Sequence, residues 1–562
     1  MFKKSSKGTV PTLFGGLAQQ FSGAKLKAFQ DPMSWHNIFR DQVTGRIDET
    51  IFSTLFVEDN GRPNASVRVM VAMMILKEGH GWSDEELYDQ CGFNAMVMNA
   101  LGLNNIDDAA PACSTYYAFR KRIYEYAQKE GIDLLGLCFQ DLTRQQCKFF
   151  DVNGGKLRMD SKLIGSNIAK CSRLQLVIRC LQEFHKHMDS VARARLAAQD
   201  AEFFGKLGKK SAGQVVYPLA SEEKGAMLAY CGELIMRLLQ QFSESDSPRY
   251  AMLARVFEDQ FSVEADVAVV REPKTIASDS LQSPYDQDAE YRGKGNQKVQ
   301  GYSLNNAETC SGEKDALELI TVVQVEGATF ADPDFLEDAV EESQEVAGEV
   351  KEAWVDGAYH SQANDLYADL NEKDFHYTGF QGFAGRFSFD WRGVELFITD
   401  TRTGEVTKAQ EYKEGKYRIT MIEGGTKTHH RFDQQTIDNY FKRKKVEEMP
   451  AEVRNKRANV EATIFQMSFL TRNNKTRYRG KFKTQMWATS RAAWINLRRI
   501  VIYLGKLCSD DPESTTKAAH WSLLAIILGL AERLKTTFAR ITPKTAHFLG
   551  HCGAPTLNYA CS

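Results

Sequence analysis

GKLRMDSKLIGSNI, residues 155–168, alternates apolar and polar side chains like a half-buried strand, and Asp160 stands where its first apolar run ends. Two further short motifs, far along the chain, each carry one acidic residue: EAWVDGAYHS with Asp356 (352–361) and KRANVEATIFQM with Glu461 (456–467). Asp356 also ends a strand-like run, whereas Glu461 lies one helical turn after Arg457 in a basic, helix-like segment. This layout is the one expected of a divalent-metal phosphoryl-transfer core acting on nucleic acid.

Carboxylates suit that chemistry because hard cations prefer oxygen ligands. Two such cations about 3.5–4 Å apart activate an attacking oxygen and stabilise the leaving one during displacement at phosphorus. A rigid sheet holds carboxylates at its strand ends, and a carboxylate on a helix completes the site from across the cleft. Taken alone, each acid is more simply explained as a solvated turn or cap residue, so the interpretation depends on the combination of the three motifs.

The chain is too long for one ordinary hydrophobic core, and at 562 residues two to four domains are expected. Its composition, 43% hydrophobic and 26% charged, is that of a globular protein. The formal net charge of −2 conceals an uneven distribution, because residues 441–500 are strongly basic and residues 332–352 strongly acidic. Tyr478, Phe482 and Trp487 are interleaved with the basic residues. This basic segment indicates a phosphate-contacting surface, with a merely solvated helix face as the alternative.

Several classes of protein are not indicated by the sequence. The eleven cysteines contain no CxxC pair, which favours a reducing compartment over a disulfide framework. The basic start lacks the apolar region of a signal peptide, and the late apolar run Leu523–Leu530 is far too short for a membrane span. No Walker A loop or dinucleotide fingerprint occurs, so no nucleotide cofactor is expected. We therefore expect a cytoplasmic, nucleoid-associated protein with no membrane contact.

The first 150 residues predict an arm followed by a helical domain. Residues 1–45 have few apolar periods and indicate a loosely packed arm. Residues 46–150 show helical periodicity, and SDEELYDQC contains a capping box formed by Ser83 and Glu86. The helix predicted at STYYAFRKRI presents three basic residues: Arg120, Lys121 and Arg122. That basic edge suits DNA docking, although it is also consistent with ordinary soluble surface.

Residues 151–500 predict a mixed α/β core with two insertions. After the strand around Asp160, helical sequence occupies about 171–264. Strands resume at GYSLNNAETC and LELITVVQVEG, and an acidic helix precedes the strand that ends at Asp356. A second insertion, about 377–432, alternates like β-hairpins with turns at TRTGE and KEGK. Residues 501–562 read as a carboxyl-terminal helical segment.

Seven segments carry a resemblance to a known family: GRPNASVRVMVAMMIL (61–76), STYYAFRKRI (114–123), RMDSKLIGSNIAKCSRLQLV (158–177), SPYDQDAEYRGKGNQKVQGYS (283–303), WVDGAYHS (354–361), RANVEATIF (457–465) and RYRGKFKTQMW (477–487). In their order and spacing the sequence resembles bacterial insertion-sequence transposases of the DDE class. It is most similar to the group usually called eleven-eighty-two. The resemblance implies a ribonuclease-H-like, retroviral-integrase-like α/β core with a mixed sheet, an all-α amino-terminal DNA-binding domain, a helical insertion after the first strand and a β-rich insertion before the helix of Glu461.

The resemblance also implies the chemistry and the partners. Asp160, Asp356 and Glu461 would be both the catalytic residues and the ligands of two Mg²⁺ ions, with Mn²⁺ as a substitute. Water would attack the phosphodiester at the element end, and the freed 3′-OH would then attack target DNA. The partners would be double-stranded DNA, as terminal inverted repeats and target, and a second copy of the chain in a homodimer on DNA. A catalytically inactive DNA-binding protein and a plain metal-dependent nuclease remain as alternatives.

Twelve residues are predicted to contact DNA: Arg120, Lys121, Arg122, Arg173, Lys298, Tyr359, Arg454, Arg457, Lys475, Arg477, Arg479 and Lys483. For Tyr359, packing beside the site is an equal alternative. The sequence departs from a Tyr, Arg, Glu, Lys signature found in relatives that have a β insertion, because Arg454 stands at the Tyr position and Ser468 at the Lys position. A route through a DNA hairpin therefore stays open, with Lys475 or the RYRGK block as other sources of phosphate contacts.

Overall fold

The computed structural model describes residues 1–507 except 58–60, 200, 244, 296, 314, 380–384 and 424. Its amino-terminal part is helical, as predicted, with seven α-helices: α1 (Gly23–Gln30), α2 (Trp35–Phe39), α3 (Val67–His80), α4 (Asp84–Phe93), α5 (Ala95–Ala100), α6 (Cys113–Glu130) and α7 (Leu134–Phe150). The predicted capping box is confirmed at the start of α4, where the Glu86 amide donates to Ser83 Oγ at 3.0 Å and the Ser83 amide donates to Glu86 Oε2 at 2.7 Å.

The expected arm is shorter than residues 1–45. Phe39 and Val43 are fully buried in the helical core, so that domain begins at α2 rather than at residue 46. The segment before it is also attached, because the Thr9 amide donates to the Gly102 carbonyl at 2.9 Å and the Leu17 amide to the Asn104 carbonyl at 2.8 Å. Hydrophobic anchors such as Phe39 outweigh the polar composition of the segment.

His36 makes this domain sensitive to acid. Its ring is fully buried, is stacked on Phe29 at 5.1 Å between centroids, and accepts at Nδ1 from Asn99 Nδ2 at 2.7 Å. Burial, and secondarily Arg40, lowers the pKa of His36 to about 4 from an ordinary 6.5. Between these values the unfolded chain takes up a proton that the folded protein does not, so stability is lost as pH falls from 6.5 towards 4. The loss amounts to about 3 kcal/mol at most.

We therefore expect the thermal midpoint of the wild type to fall more between pH 7.5 and 5.0 than that of His36→Gln, which keeps an acceptor but does not titrate. Thermal unfolding of both proteins at the two pH values measures this difference. Parallel pH profiles for the two proteins would contradict the assignment.

The first strand leads directly into a helical insertion with its own core. Strand β1 (Lys156–Gly165) is followed by six helices and a hairpin: α8 (Arg173–Lys186), α9 (Ser190–Gln199), α10 (Ala201–Lys209), α11 (Ala212–Val216), α12 (Ser221–Gln241), α13 (Pro248–Gln260), β2 (Phe261–Glu264) and β3 (Val267–Val270). Val177, Ile235 and Val256 are fully buried in that core. Phe261 and Ala268 join them from the hairpin, so the insertion extends at least to Val270 rather than ending at residue 264.

A six-stranded mixed sheet forms the centre of the molecule. Its remaining strands and the helices between them are β4 (Glu290–Lys294), β5 (Gln297–Thr309), β6 (Ile320–Gly327), α14 (Leu336–Ala347), β7 (Glu352–Val355), α15 (Gln362–Leu370) and β8 (Asp374–Tyr377). The order across the sheet is β6–β5–β1–β7–β8, and β4 pairs with the other end of the same edge of β5. β5 is antiparallel to β1 and β6, whereas β7 and β8 run parallel to β1.

Six further strands form the β-rich insertion: β9 (Phe387–Arg392), β10 (Glu395–Asp400), β11 (Val406–Lys408), β12 (Gln410–Lys413), β13 (Lys416–Glu423) and β14 (Thr426–Asp433). They make two three-stranded antiparallel sheets around a small core that contains Ile398 and Ile419. The predicted turns are present, with positive φ at Gly404 and Gly415. The insertion begins only after β8, because Tyr377 pairs with β7 and belongs to the central sheet.

Four helices complete the described chain: α16 (Gln434–Glu447), α17 (Ala451–Asn455), α18 (Ala458–Ser468) and α19 (Lys481–Leu507). α14 and α15 cover one face of the central sheet, and α18 and α19 cover the other. Of the carboxyl-terminal segment predicted at 501–562, residues 501–507 end α19, and the rest lies outside the described residues. Among the residues that the structure describes, every helix is too short or too polar to span a bilayer.

The amino-terminal helices share a hydrophobic core with α19 and β6. Trp494 of α19 lies against α3 so closely that a Cβ atom at Gly79 would be 2.3 Å from its ring. Trp35 and Phe39 pack on the same indole, each with 6.2 Å between ring centroids. The helical domain is therefore fixed to one face of the central sheet rather than connected to it by a flexible linker.

Candidate active site

The three predicted carboxylates meet at one place on the central sheet. Asp160 lies within β1, Asp356 directly follows β7, and Glu461 lies in the first turn of α18. β1 and β7 are parallel neighbours in which Arg158 is paired with Trp354, so the next two residues along each strand bring Asp160 beside Asp356. α18 packs against β1 on the sheet face that carries Asp160, and it contributes Glu461 to the site.

The guanidinium of Arg457 lies among the three acids. Its Nη2 is 3.1 Å from Asp160 Oδ1 and 3.7 Å from Asp356 Oδ2, and its Nη1 is 3.4 Å from Glu461 Oε1. The Arg457 side chain is 16% exposed, close to the 15% of Asp160, whereas Glu461 is 63% exposed. The site is thus a cleft whose floor is Asp160 and whose open side is Glu461.

Backbone amides fix the two strand carboxylates. Asp160 Oδ1 accepts from the Ser161 amide at 3.0 Å, and Asp356 Oδ1 accepts from the Gly357 amide at 2.7 Å. Burial raises the pKa of Asp160 above its ordinary value, and the charge of Arg457 partly offsets this effect. Burial thus disfavours the charged form of Asp160, and a neighbouring cation stabilises it, which is typical of a cation-binding carboxylate.

A buried ionic network lies beneath α18, and the sequence analysis did not identify it. The Glu308 carboxylate on β5 is fully buried between Arg158 Nε at 2.5 Å and Arg499 Nη2 at 2.7 Å, and it accepts from Thr463 Oγ1 at 2.7 Å. Burial alone would raise the pKa of Glu308, but Arg499 and Arg158 outweigh it and hold the pKa below its ordinary value.

That network fixes the helix of Glu461 on the sheet. Arg158 Nη1 also donates to the Lys456 carbonyl at 3.2 Å, just before Arg457. Thr463 is two residues after Glu461 and is fully buried against Glu308. The position of Arg457 and Glu461 therefore depends on the buried ionic network that contacts the opposite side of α18. The one signal in the sequence is that Arg158 comes two residues before Asp160 in β1, so both side chains lie on the same face of the sheet.

Lys162 is a second residue that sequence reasoning missed. It lies two residues after Asp160 on β1, and its Nζ donates to Ser468 Oγ at 2.8 Å. Among the described residues no carboxylate lies within ion-pair distance of it. Burial lowers the pKa of Lys162 from its ordinary value. Lys162 thus places a partly buried cation on the same side of β1 as Asp160.

Tyr359 has a packing role in this conformation. Its ring is 1% exposed, and its hydroxyl donates to Asn305 Oδ1 at 2.7 Å on the sheet face away from α18. Burial, followed by the charges of Asp160 and Asp332, raises the pKa of its phenol. The predicted DNA contact is not available to a side chain buried in this way, so the packing alternative describes Tyr359.

Three of the predicted DNA contacts are instead used inside the protein. Arg120 lies 3.6 Å from Asp84, and Arg477 Nη2 lies 2.7 Å from Glu78 Oε2, at the junction between the helical domain and the loop before α19. Arg173 donates to Gln260 Oε1 at 2.6 Å within the helical insertion. These side chains stabilise the fold, and their guanidinium groups already have partners.

The other predicted contacts fall into separate places. Four side chains have high exposure: Lys121 and Arg122 on α6, Lys298 on β5 and Arg454 on α17. Lys475 Nζ donates to the Ile168 carbonyl at 2.7 Å, and Arg479 Nε to the Asn167 carbonyl at 2.8 Å, so both lie beside the exit of β1. Lys483 lies 5.5 Å above the ring of Tyr124, which joins the start of α19 to α6. Of the twelve residues, only Arg457 contacts the carboxylates.

The donor set suits Mg²⁺ in its chemistry, since three carboxylates offer hard oxygen ligands. Over the described ranges, however, no three His, Cys, Asp or Glu side chains come close enough to one another to hold one ion. The guanidinium of Arg457 lies between the acids in this arrangement.

Comparison with known proteins gives one finding for this chain. Residues 28–122, from the end of α1 to the middle of α6, match the family model described as a transposase domain, DUF772. No curated protein and no solved structure matches the chain. The matched region is the helical domain that packs on α19. The match supports a transposase family, and hence in general terms an enzyme of DNA cleavage and transfer.

Proposed function

We propose that the protein is a DNA transposase of the DDE class, similar to the eleven-eighty-two group. It would bind the terminal inverted repeats of an insertion sequence and carry out Mg²⁺-dependent cleavage and strand transfer. The observation that carries this proposal is the convergence of Asp160, Asp356 and Glu461 on one guanidinium, from two parallel strands and a helix. Residues separated by 196 and 105 positions in sequence have no local reason to meet.

The sheet supports a ribonuclease-H-like core. Three antiparallel strands, β6, β5 and β1, are followed across the sheet by two strands parallel to β1. Asp160 lies on the third strand of this order, β1, and Asp356 directly follows the fourth, β7. The helical insertion follows the first strand and the β-rich insertion precedes the helix of Glu461, as the proposed architecture requires.

The residues of the site would act as binding and orienting groups. Asp160, Asp356 and Glu461 would hold two Mg²⁺ ions, with Mn²⁺ as a substitute. When bound, such ions supply Lewis-acid stabilisation of the charge that develops on the reacting phosphate. Arg457 would exchange its carboxylate contacts for a DNA phosphate, which accepts the same two-pronged hydrogen bonding. Ser161 and Gly357 would keep the strand carboxylates oriented through their amides.

DNA would lie across the cleft and the basic groups around it. Lys475 and Arg479 at the exit of β1, and Lys483 at the start of α19, extend from the site towards α6 with its exposed Lys121. Phosphate contacts of this kind supply affinity without reading sequence. Two element ends must be brought together, so we propose a homodimer on DNA and a place of work at the nucleoid.

The test is a cleavage and joining assay on labelled DNA that carries the element's own terminal repeats. We expect 3′ nicking and a joined product with Mg²⁺ or Mn²⁺, and neither with EDTA, while binding to the ends persists without metal. Specific binding with no metal-dependent cleavage under either ion would instead indicate a non-catalytic DNA-binding protein. Nicking without any joined product would indicate a nuclease with the same core.

A further inference from the structure

Two exposed phenylalanine side chains follow Glu461: Phe465 lies within α18, and Phe469 comes directly after its last residue. Phe465 is 61% exposed and Phe469 is 45% exposed, and their ring centroids are 5.6 Å apart at an interplanar angle of 59°. We call these two residues the phenyl pair. Phe465 lies four residues after Glu461, so the two side chains are neighbours on the helix surface. The phenyl pair therefore continues the open side of the candidate site.

The fold does not require these rings. α18 already buries Val460, Ile464 and Met467 against the sheet, and they are 0%, 7% and 0% exposed. An exposed apolar side chain by itself is ordinary. Two neighbouring aromatic rings on the helix of Glu461 are more informative, because aromatic surface beside a groove that binds the nucleic-acid backbone is how proteins hold unpaired bases.

Lys162 contacts the chain between the two members of the phenyl pair. Its ammonium donates to Ser468 Oγ, and the same hydroxyl lies 3.3 Å from the Phe465 carbonyl. Ser468 is seven residues after Glu461, which places it on the same side of α18 two turns further on. A cation with a neutral hydroxyl as its hydrogen-bond partner, beside exposed aromatic rings, has the chemistry of a nucleotide site, with the ammonium for the phosphate and the rings for the base.

We propose that Lys162, Phe465 and Phe469 form a subsite for an unpaired nucleotide of the DNA strand in the cleft. The base stacks on the phenyl pair, and its phosphate pairs with Lys162. Four helical residues from Glu461 to Phe465 span about 6 Å. One strand of DNA advances about 3.4 Å per nucleotide. The held nucleotide thus lies within about two positions of the reacting phosphate. This inference rests on the proposed function, because it assigns the strand in the site to DNA.

The test compares two DNA probes and needs no chemistry. One probe is a 20-base-pair hairpin duplex with a five-thymine single-stranded overhang, and the other is the same duplex with a blunt end, both bound in EDTA and followed by fluorescence anisotropy. The wild type should prefer the overhang about 5- to 100-fold, the range expected for one stacked base. In the double variant Phe465→Ala, Phe469→Ala the ratio of the two dissociation constants should approach one.

Matched variants separate stacking from general effects. Phe93→Ala removes a ring that is 89% exposed at the end of α4, far along the chain from the site, and should keep the wild-type ratio. Phe465→Trp, which preserves an aromatic face, should also keep it, whereas Phe465→Leu, which preserves only apolar area, should lower it. Lys162→Ala should weaken overhang binding in a salt-dependent way, because the ammonium acts through charge.

Either of two results with the double alanine variant would overturn the subsite. One is an unchanged overhang preference in the double alanine variant. The other is conversion of a dimer to a monomer by that variant in light scattering, which would make the phenyl pair a contact between copies of the chain. The inference and the proposed function can fail separately. If the wild type cleaves and joins DNA but shows no preference for the overhang, only the subsite is contradicted. If it prefers the overhang but never cleaves DNA, only the transposase assignment is contradicted.

Discussion

Replacing Asp356 by Asn should abolish metal-dependent cleavage, by at least about 1,000-fold or about 4 kcal/mol, while DNA binding is largely retained. The amide has nearly the volume of the carboxylate but lacks the negative charge that holds a divalent cation. Asp356 is 38% exposed at the end of a short strand, so its replacement leaves the fold intact. Cleavage of end-containing DNA in Mg²⁺, measured alongside binding in EDTA, separates the two effects.

Asp160→Asn and Glu461→Gln should have the same phenotype, because all three acids contact one guanidinium and would share the same ions. Asp374→Asn is the matched control. That residue is 58% exposed at the start of β8, the strand next to β7, and is 3.9 Å from Lys445 rather than near Arg457. It should cleave like the wild type. Retained cleavage in any one of the three site variants would remove that residue from the catalytic set.

Glu308→Gln should destabilise the protein by about 3–5 kcal/mol, the cost of breaking a buried ion pair from one side. The fully buried carboxylate neutralises Arg158 and Arg499, and the amide would leave Arg499 without a charged partner among the described residues. Cleavage should fall as well, since Thr463 and the Lys456 carbonyl attach α18 to this network. Thermal or urea unfolding measures the first effect, and the cleavage assay at a temperature where the variant is folded measures the second.

Glu318→Gln provides the comparison for Glu308. Glu318 also pairs with Arg158, but it is 19% exposed at the edge of the network, and Arg158 would keep Glu308 as a partner. Its replacement should cost about 1 kcal/mol. Equal destabilisation by the two variants would show that burial of Glu308 is not what gives the network its strength.

Local patterns predicted the elements of this fold well. The alternation around Asp160 predicted β1, the apolar spacing after Leu174 predicted α8, and the capping box at Ser83 marked the start of α4. The three acids were found because each lies in a short motif whose context is local. The interpretation of the core as ribonuclease-H-like stays a prediction, supported by the strand order.

Features that depend on tertiary contacts were not predictable. Glu308 lies in GYSLNNAETC, where nothing local distinguishes a buried acid from a solvated one; only the pairing of β5 with β1 and the arrival of Arg499 decide it. Arg120 and Arg477 look like surface cations in sequence, yet each has an acidic partner at the domain junction. The burial of Tyr359 likewise depends on α14 and α15 covering its face of the sheet.

The packing of Trp494 against Gly79 has a consequence for protein synthesis. A ribosome that stops just before α19 releases helices whose apolar surface lacks its cover. The same product lacks Arg499, so the carboxylate beneath the helix of Glu461 is left with only one of its two arginines. Premature termination would thus yield chains that fold poorly and are open to proteolysis. The proposed DNA-cutting activity would thus be confined to chains that extend through α19.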